Sequence, residues 1–185
     1  MRITKTKLSD LIIIEPDVFG DKRGWFTESY HKHKYQAVGI DVDFIQDNHS
    51  YSKEIGTLRG LHYQSGAYAQ SKLVRCVRGR LMDVCVDLRK DSPTYLKWEA
   101  IELSESNKRQ LFVPKGFAHG FLTLSDDVEI MYKVDAFYSK EHDAGVRYDD
   151  PDLNVDWKSF LPNVEFILSD KDKQLKQFKE LDLDF

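Results

Sequence analysis

Apolar and polar positions along the chain alternate in short blocks, and the blocks predict strands. Leu11-Ile12-Ile13-Ile14 is β-branched and apolar, is closed by Glu15-Pro16, and reads as a buried strand. Two glycines bracket a charged turn in Phe19-Gly20-Asp21-Lys22-Arg23-Gly24, and a second strand follows with Trp25, Phe26 and Glu28. Residues 30–37 are predicted as a short helix, with His31 and His33 on a solvated face among lysines. Residues 72–78 and 81–88 flank Gly79 and predict a hairpin. Strands over 98–103, 110–113, 118–124 and 128–137 follow, separated by Ser-Glu-Ser-Asn, Pro-Lys-Gly and Ser-Asp-Asp. Many short strands, polar turns and almost no helix predict an antiparallel sandwich or barrel. Within the last strand Val128, Ile130, Tyr132 and Val134 share one face, which places Tyr132 on an apolar, inward surface. Residues 169–181 form a polar tail predicted as helical.

The segment with the densest chemistry is Arg59-Gly60-Leu61-His62-Tyr63-Gln64. Its period of two puts His62 and Gln64 on one face of a strand, with a fixed cation just before them. A histidine so placed suits proton transfer on an anionic ligand. From this segment alone, a satisfied core histidine beside a surface arginine accounts for the pattern equally well. Val113-Pro114-Lys115-Gly116-Phe117-Ala118-His119 delivers a second histidine from a tight turn into a strand. Pro-x-Gly-x-x-His after a strand resembles the second sequence motif of the cupin superfamily, a small antiparallel jelly roll. The first-motif region offers only His62, with Tyr63 and Gln64 beside it, and two histidines are too few ligands for a Zn, Fe or Mn centre. No catalytic metal is therefore expected.

Composition narrows the class further. The 185 residues are 41% hydrophobic and 31% charged, as in an ordinary globular protein, and one domain spanning 1–185 is expected. A net charge of −4 argues against non-specific nucleic-acid binding. Residues 1–7 lack the apolar core of a signal peptide and no apolar run is long enough to span a bilayer, so the expected location is the cytoplasm. Cys76 and Cys85, nine residues apart, are read as buried structural thiols. Asp143, Asp149, Asp150 and Asp152 lack the register and closing Glu of a calcium loop.

Taken in order, eight stretches resemble the dTDP-4-dehydrorhamnose 3,5-epimerase family, from about residue 10 to 175. They are Asp21-Lys22-Arg23-Gly24-Trp25-Phe26-Thr27-Glu28, Phe44-Ile45-Gln46-Asp47-Asn48-His49-Ser50, Leu58 to Gln64, Ser71 to Arg75, Asp83 to Arg89, Pro114 to Phe121, Tyr132-Lys133, and Leu168-Ser169-Asp170-Lys171-Asp172. The resemblance implies a cupin-type jelly roll with a short C-terminal helical region. It also implies an isomerase that inverts C3 and C5 of a nucleotide-linked 4-keto-6-deoxyhexose without a cofactor. Each inversion needs a base on one face of the sugar, an acid on the other and stabilisation of the enolate between. By similarity His62 is the base, Asp172 orients it and Tyr132 is the acid. Lys72 brings positive charge toward the enolate oxygen. His119 lines the same cavity, with Asp83 as its partner. Arg23, Glu28, Gln46, Asn48, Arg59 and Lys171 match positions that hold the nucleotide-sugar, and arginine forks suit its diphosphate.

Two departures stand out: Asp143 replaces a longer Glu, and Gly66-Ala67-Tyr68-Ala69-Gln70 replaces a more proline-rich loop and alters the pocket rim. The resemblance further implies a homodimer in which the Arg23–Glu28 region serves the neighbouring subunit's site. Relatives that invert C3 or C5 alone, and a silent nucleotide-sugar-binding jelly roll, are the competing readings.

Overall fold

A computed structural model describes every residue except Asp184. The chain opens with β1 (Arg2–Lys5), β2 (Ile12–Glu15), β3 (Phe19–Asp21), β4 (Gly24–Phe26) and α1 (Lys32–Gln36). Then come β5 (Gln46–Ser52), β6 (Leu58–Gln64), β7 (Lys72–Arg78), β8 (Arg80–Asp87) and β9 (Trp98–Ser104). The strands end with β10 (Gln110–Val113), β11 (Phe117–Thr123), β12 (Val128–Val134) and β13 (Asp143–Gly145). Two single-turn helices follow, α2 (Trp157–Phe160) and α3 (Asp170–Lys173). A six-stranded sheet runs β1-β2-β10-β7-β12-β5, a five-stranded sheet runs β13-β6-β11-β8-β9, and β3-β4 forms a separate hairpin. The named strands all pair antiparallel. This is the cupin-type jelly roll expected from the sequence.

Strand alternation explains the layers. From the six-stranded sheet, Val74, Cys76, Leu111, Val113, Val128 and Ile130 meet Leu81, Cys85, Ile101, Leu103, Phe117 and Phe121 of the five-stranded sheet in one core. The intervening residues Val84, Val86, Ala118 and Leu122 face outward, yet they are also buried. The C-terminal third covers them with Val146, Leu153, Val155 and Trp157. Burial on both faces is why β8 reads as a nearly continuous apolar run. On the other side, Tyr35 and Ile40 at α1 cover Ile14, Leu73 and Phe112.

Several boundaries differ from expectation for local reasons. The strand predicted over 128–137 ends at Val134, because the Asp135 carboxylate turns away to accept from the Ser71 N–H at 2.7 Å. The tail predicted as helical over 169–181 forms only α3 and a 3-10 turn at Phe178–Glu180. Between them residue 176 bridges in parallel to Val146, which draws the chain into extended form. His33 is exposed, but His31 is half-buried rather than solvated and its Nδ1 is enclosed without a hydrogen-bond partner. Cys76 and Cys85 are free and buried, as expected. Asp150 accepts from the N–H groups of Asp152, Leu153 and Phe178, so its carboxylate closes a turn. Among the described residues no helix is long and apolar enough to cross a membrane.

Candidate active site

The two sheets part at one end around a cavity of about 310 Å3. The five-stranded sheet contributes Arg59 and His62 from β6 and His119 from β11, and the six-stranded sheet contributes Lys72 from β7 and Tyr132 from β12. Lys171 and Asp172 of α3 close one side. Arg59 and His62 are three residues apart, so simple alternation would send them to opposite faces. The pairing of β6 with β11 absorbs the difference: His62 lies opposite His119 and Arg59 opposite Phe121, so β6 carries one residue more than β11. This irregularity turns both side chains into the cavity. The close approach is possible because Gly120 faces Gly60: a Cβ on Gly120 would lie 2.5 Å from the Arg59 carbonyl oxygen.

His62 Nε2 and Asp172 Oδ1 are 2.5 Å apart, a short charge-assisted contact joining residues 110 positions apart in sequence. The second carboxylate oxygen of Asp172 accepts from Ser169 Oγ at 2.9 Å, and Ser169 Oγ in turn accepts the Asp172 N–H at 3.1 Å. Burial pushes the Asp172 carboxyl up, but hydrogen bonds and charge from His62, with help from Ser169, outweigh it and hold Asp172 below its ordinary value. An ionised Asp172 requires a proton on Nε2, which leaves Nδ1 of His62 as the basic nitrogen.

Tyr132 stands on the opposite wall. Val128 and Ile130 share its strand face and are buried in the core, while Tyr132 packs against that core at its edge. Burial raises the phenol's pKa, Asp143 raises it further, and Arg59 offsets part of the rise, so the group stays protonated near neutral pH. Lys72 is half-buried beside it; burial holds the ammonium's pKa below its ordinary value, and Cys85, Asp83 and Asp143 offset only part of that fall. Arg59 is held by neutral acceptors, Ser52 Oγ and the Tyr51 carbonyl, both at 3.1 Å, which leaves its charge available to an anion.

Buried His119 and Asp83 share a 2.9 Å hydrogen bond, the pairing expected from the sequence. With Cys85 they bring potential metal-ligating atoms within 4.8 Å of one another, but the Lys72 ammonium beside them opposes a cation there.

At the mouth, Asp143 Oδ2 accepts from Lys171 Nζ at 2.5 Å and from the Tyr138 hydroxyl at 2.9 Å. Gln46 and Asn48 on β5 are joined at 2.8 Å, and the pairing of Asn48 with Tyr132 puts them on the face of β5 that Tyr132 shares on β12. Arg23 and Glu28 are not brought to this cavity. Arg23 is exposed and pairs with Asp21, and Glu28 pairs with Lys34. Arg23 lies in the turn of a hairpin and Glu28 just after it; the hairpin's Phe19, Trp25 and Phe26 are 62%, 60% and 64% exposed. Ser50, Gly120, Phe121, Ile130 and Ser169 also line the cavity, and Tyr138 bonds Asp143 beside it; none was singled out as a site residue in the sequence. Ser169 was legible as the Ser of a Ser-x-x-Asp helix start, whereas exposed Tyr138 had no periodic pattern to mark it.

A jelly roll that holds a carboxylate-bonded histidine on one wall and a protonated tyrosine on the other has the groups that an enzyme of the epimerase class needs to move protons on both faces of a substrate. A family model described as dTDP-4-dehydrorhamnose 3,5-epimerase matches residues 5–180, and the chain belongs to that family. It is 50% identical over 183 residues to the dTDP-4-dehydrorhamnose 3,5-epimerase of Shigella flexneri, covering 98% of each chain. The crystal structure of the Elizabethkingia anophelis enzyme of the same name superposes with a TM-score of 0.90 at 49% identity, covering 97% of each chain. A Legionella pneumophila epimerase solved with dTDP-4-keto-L-rhamnose superposes with a TM-score of 0.91 at 43% identity, covering 98% of this chain and 94% of that one.

Proposed function

We propose that this chain, as a single domain, inverts C3 and C5 of dTDP-4-dehydro-6-deoxy-D-glucose to give dTDP-4-dehydro-L-rhamnose, in dTDP-L-rhamnose biosynthesis. The observation that carries the reading is the placement of His62 and Tyr132 on opposing sheets across one cavity. C3 and C5 are both alpha to the C4 ketone, so their protons are acidic once the enolate is stabilised. His62 Nδ1 removes the proton from one face, and the imidazolium so formed is stabilised by Asp172. The electron pair moves onto the C4 oxygen, toward the Lys72 ammonium. The Tyr132 hydroxyl then delivers a proton to the opposite face of the same carbon. Solvent exchange returns His62 and Tyr132 to their starting states, and the second centre follows by the same steps.

Arg59 suits the diphosphate, and His119, Gln46, Asn48, Asp143 and Lys171 suit the sugar and nucleoside. The exposed ring of Tyr138 at the mouth offers a stacking surface for the base. The exposed apolar hairpin supports a homodimer in which Arg23 and Glu28 reach the neighbouring subunit's cavity. We place the enzyme in the cytoplasm, where nucleotide sugars are made.

The test is to incubate the protein with dTDP-4-keto-6-deoxy-D-glucose, reduce the ketone chemically and identify the 6-deoxyhexoses. Rhamnose and 6-deoxytalose of the L series are expected. Sugars inverted at C3 alone would replace this reading with a single-site epimerase, and uninverted sugars would overturn it.

A further inference from the structure

Two segments meet side by side next to the cavity, and the second is tied to it through Asp143, which holds the cavity-lining Lys171. One is the turn after β6, with a 3-10 turn at Gly66–Tyr68; the other runs from Asp135 to Asp143 and carries Tyr138. Gln64 Oε1 accepts from the Ser139 N–H at 2.8 Å, the His142 carbonyl accepts from the Ser65 N–H at 3.0 Å, and Gln70 Nε2 donates to the Ala136 carbonyl at 2.8 Å. These bonds fix the ends of both segments. Between them the Tyr68 and His142 rings lie face toward face with centroids 4.4 Å apart and planes tilted by 32°. His142 Nδ1 in turn meets Ser139 Oγ at 2.8 Å. Asp143, which holds both Tyr138 and Lys171, follows His142 directly.

We propose that Tyr68 and His142 are positioning residues for ligand recognition: their stack fixes the residue 137–142 loop and thereby the Tyr138 ring and the Asp143 carboxylate. This rests on the functional reading above. Tyr68 is 40% exposed and Tyr138 is 54% exposed, so neither ring is locked by the core. Within the limits set by those hydrogen bonds, the ring pair narrows the arrangements left to the exposed segment. A ligand that needs the ordered loop binds more weakly in proportion to the fraction of molecules that lack it. His62, Tyr132 and Asp172 are anchored on β6, β12 and α3, outside this loop, so their backbone positions do not depend on it.

The test compares Tyr68→Ala, Tyr68→Phe, His142→Ala and the Tyr68→Ala/His142→Ala pair. Readouts are the dissociation constant for dTDP by calorimetry, kcat and KM with the nucleotide-sugar, and thermal unfolding. Loss of one aromatic pair corresponds to about a three- to tenfold change in an equilibrium. Tyr68→Ala and His142→Ala are each expected to raise KM and the dTDP dissociation constant by up to that factor, with kcat within about twofold and Tm within a few degrees of wild type. Tyr68→Phe should match wild type, and the double variant should be no worse than either single one. Unchanged KM in Tyr68→Ala with an active wild type would overturn this proposal alone. So would a fall in kcat at constant KM, or additive losses in the double variant. A wild-type protein that neither binds dTDP nor turns over would overturn the functional reading, and this proposal with it.

Discussion

Replacing Asp172 by Asn isolates the charge behind His62. The amide is isosteric with the carboxylate, so Oδ1 can still accept from Nε2–H of His62 while the amide nitrogen donates to Ser169 Oγ, now 2.9 Å from Oδ2. What disappears is the negative charge 2.5 Å from a ring that becomes cationic during proton abstraction. A hydrogen bond to a charged group contributes about 1.5–3 kcal/mol against about 0.5–1.5 kcal/mol for a neutral one. At an effective dielectric of about 20, a charge pair at about 4 Å adds at most about 4 kcal/mol in the transition state. Because His62 keeps 29% of its side chain exposed, solvent screens part of that sum. A barrier increase of about 2–4 kcal/mol is expected, a fall in kcat of about 30- to 1,000-fold. KM and the dTDP dissociation constant should stay near wild type. The assay follows epimer formation by proton NMR, with dTDP calorimetry as the check that the cavity is intact. A variant that binds dTDP normally and turns over within threefold of wild type would refute the role given to Asp172.

Three further outcomes follow from the same geometry. Tyr132→Phe should cut epimer formation by at least about 100-fold, the usual worth of a general acid, while His62 continues to exchange the substrate's alpha proton with D2O; parallel loss of both would mean that Tyr132 is not the acid. Gly145→Ala should destabilise the fold by about 2 kcal/mol and lower Tm by about 4–8 °C, since the added Cβ would lie 2.4 Å from the Leu61 carbonyl oxygen opposite; an unchanged Tm contradicts the packing. Asp172 and Asp87 are both held below the ordinary carboxylate value. Burial opposes this in each case, and hydrogen bonds from His62 to Asp172 and from Arg89, Ser92 and Thr94 to Asp87 outweigh it. The unfolded chain therefore binds more protons in acid, so their contribution is present above about pH 4 and is lost as pH falls through the folded-state values. Urea midpoints measured from pH 6 to 2.5 should fall in that window, and the fall should be shallower in Asp87→Asn.

The strands that alternate cleanly were the ones legible in advance. The two around Gly79 and the one at Gln110–Val113 appear within a residue of their expected ends, because one face of each is committed to the inter-sheet core. The first strand, Arg2–Lys5, went unseen because its residues are mostly exposed and it owes its form to pairing with Ile12–Glu15. The same contrast runs through the site. Tyr132 declared its inward direction through Val128 and Ile130, whereas no local pattern could link His62 to a carboxylate 110 residues away. That link came from family resemblance and is met in the geometry. Arg23 and Glu28 came from the same source, yet in the single chain they lie on an exposed hairpin away from the cavity.

The most direct test of the central claim is proton NMR of dTDP-4-keto-6-deoxy-D-glucose incubated with the protein in D2O. Deuterium is predicted to enter at both C3 and C5 with wild type and at neither with folded His62→Ala. Exchange at both carbons in His62→Ala, or at neither in wild type, would contradict proton abstraction by His62.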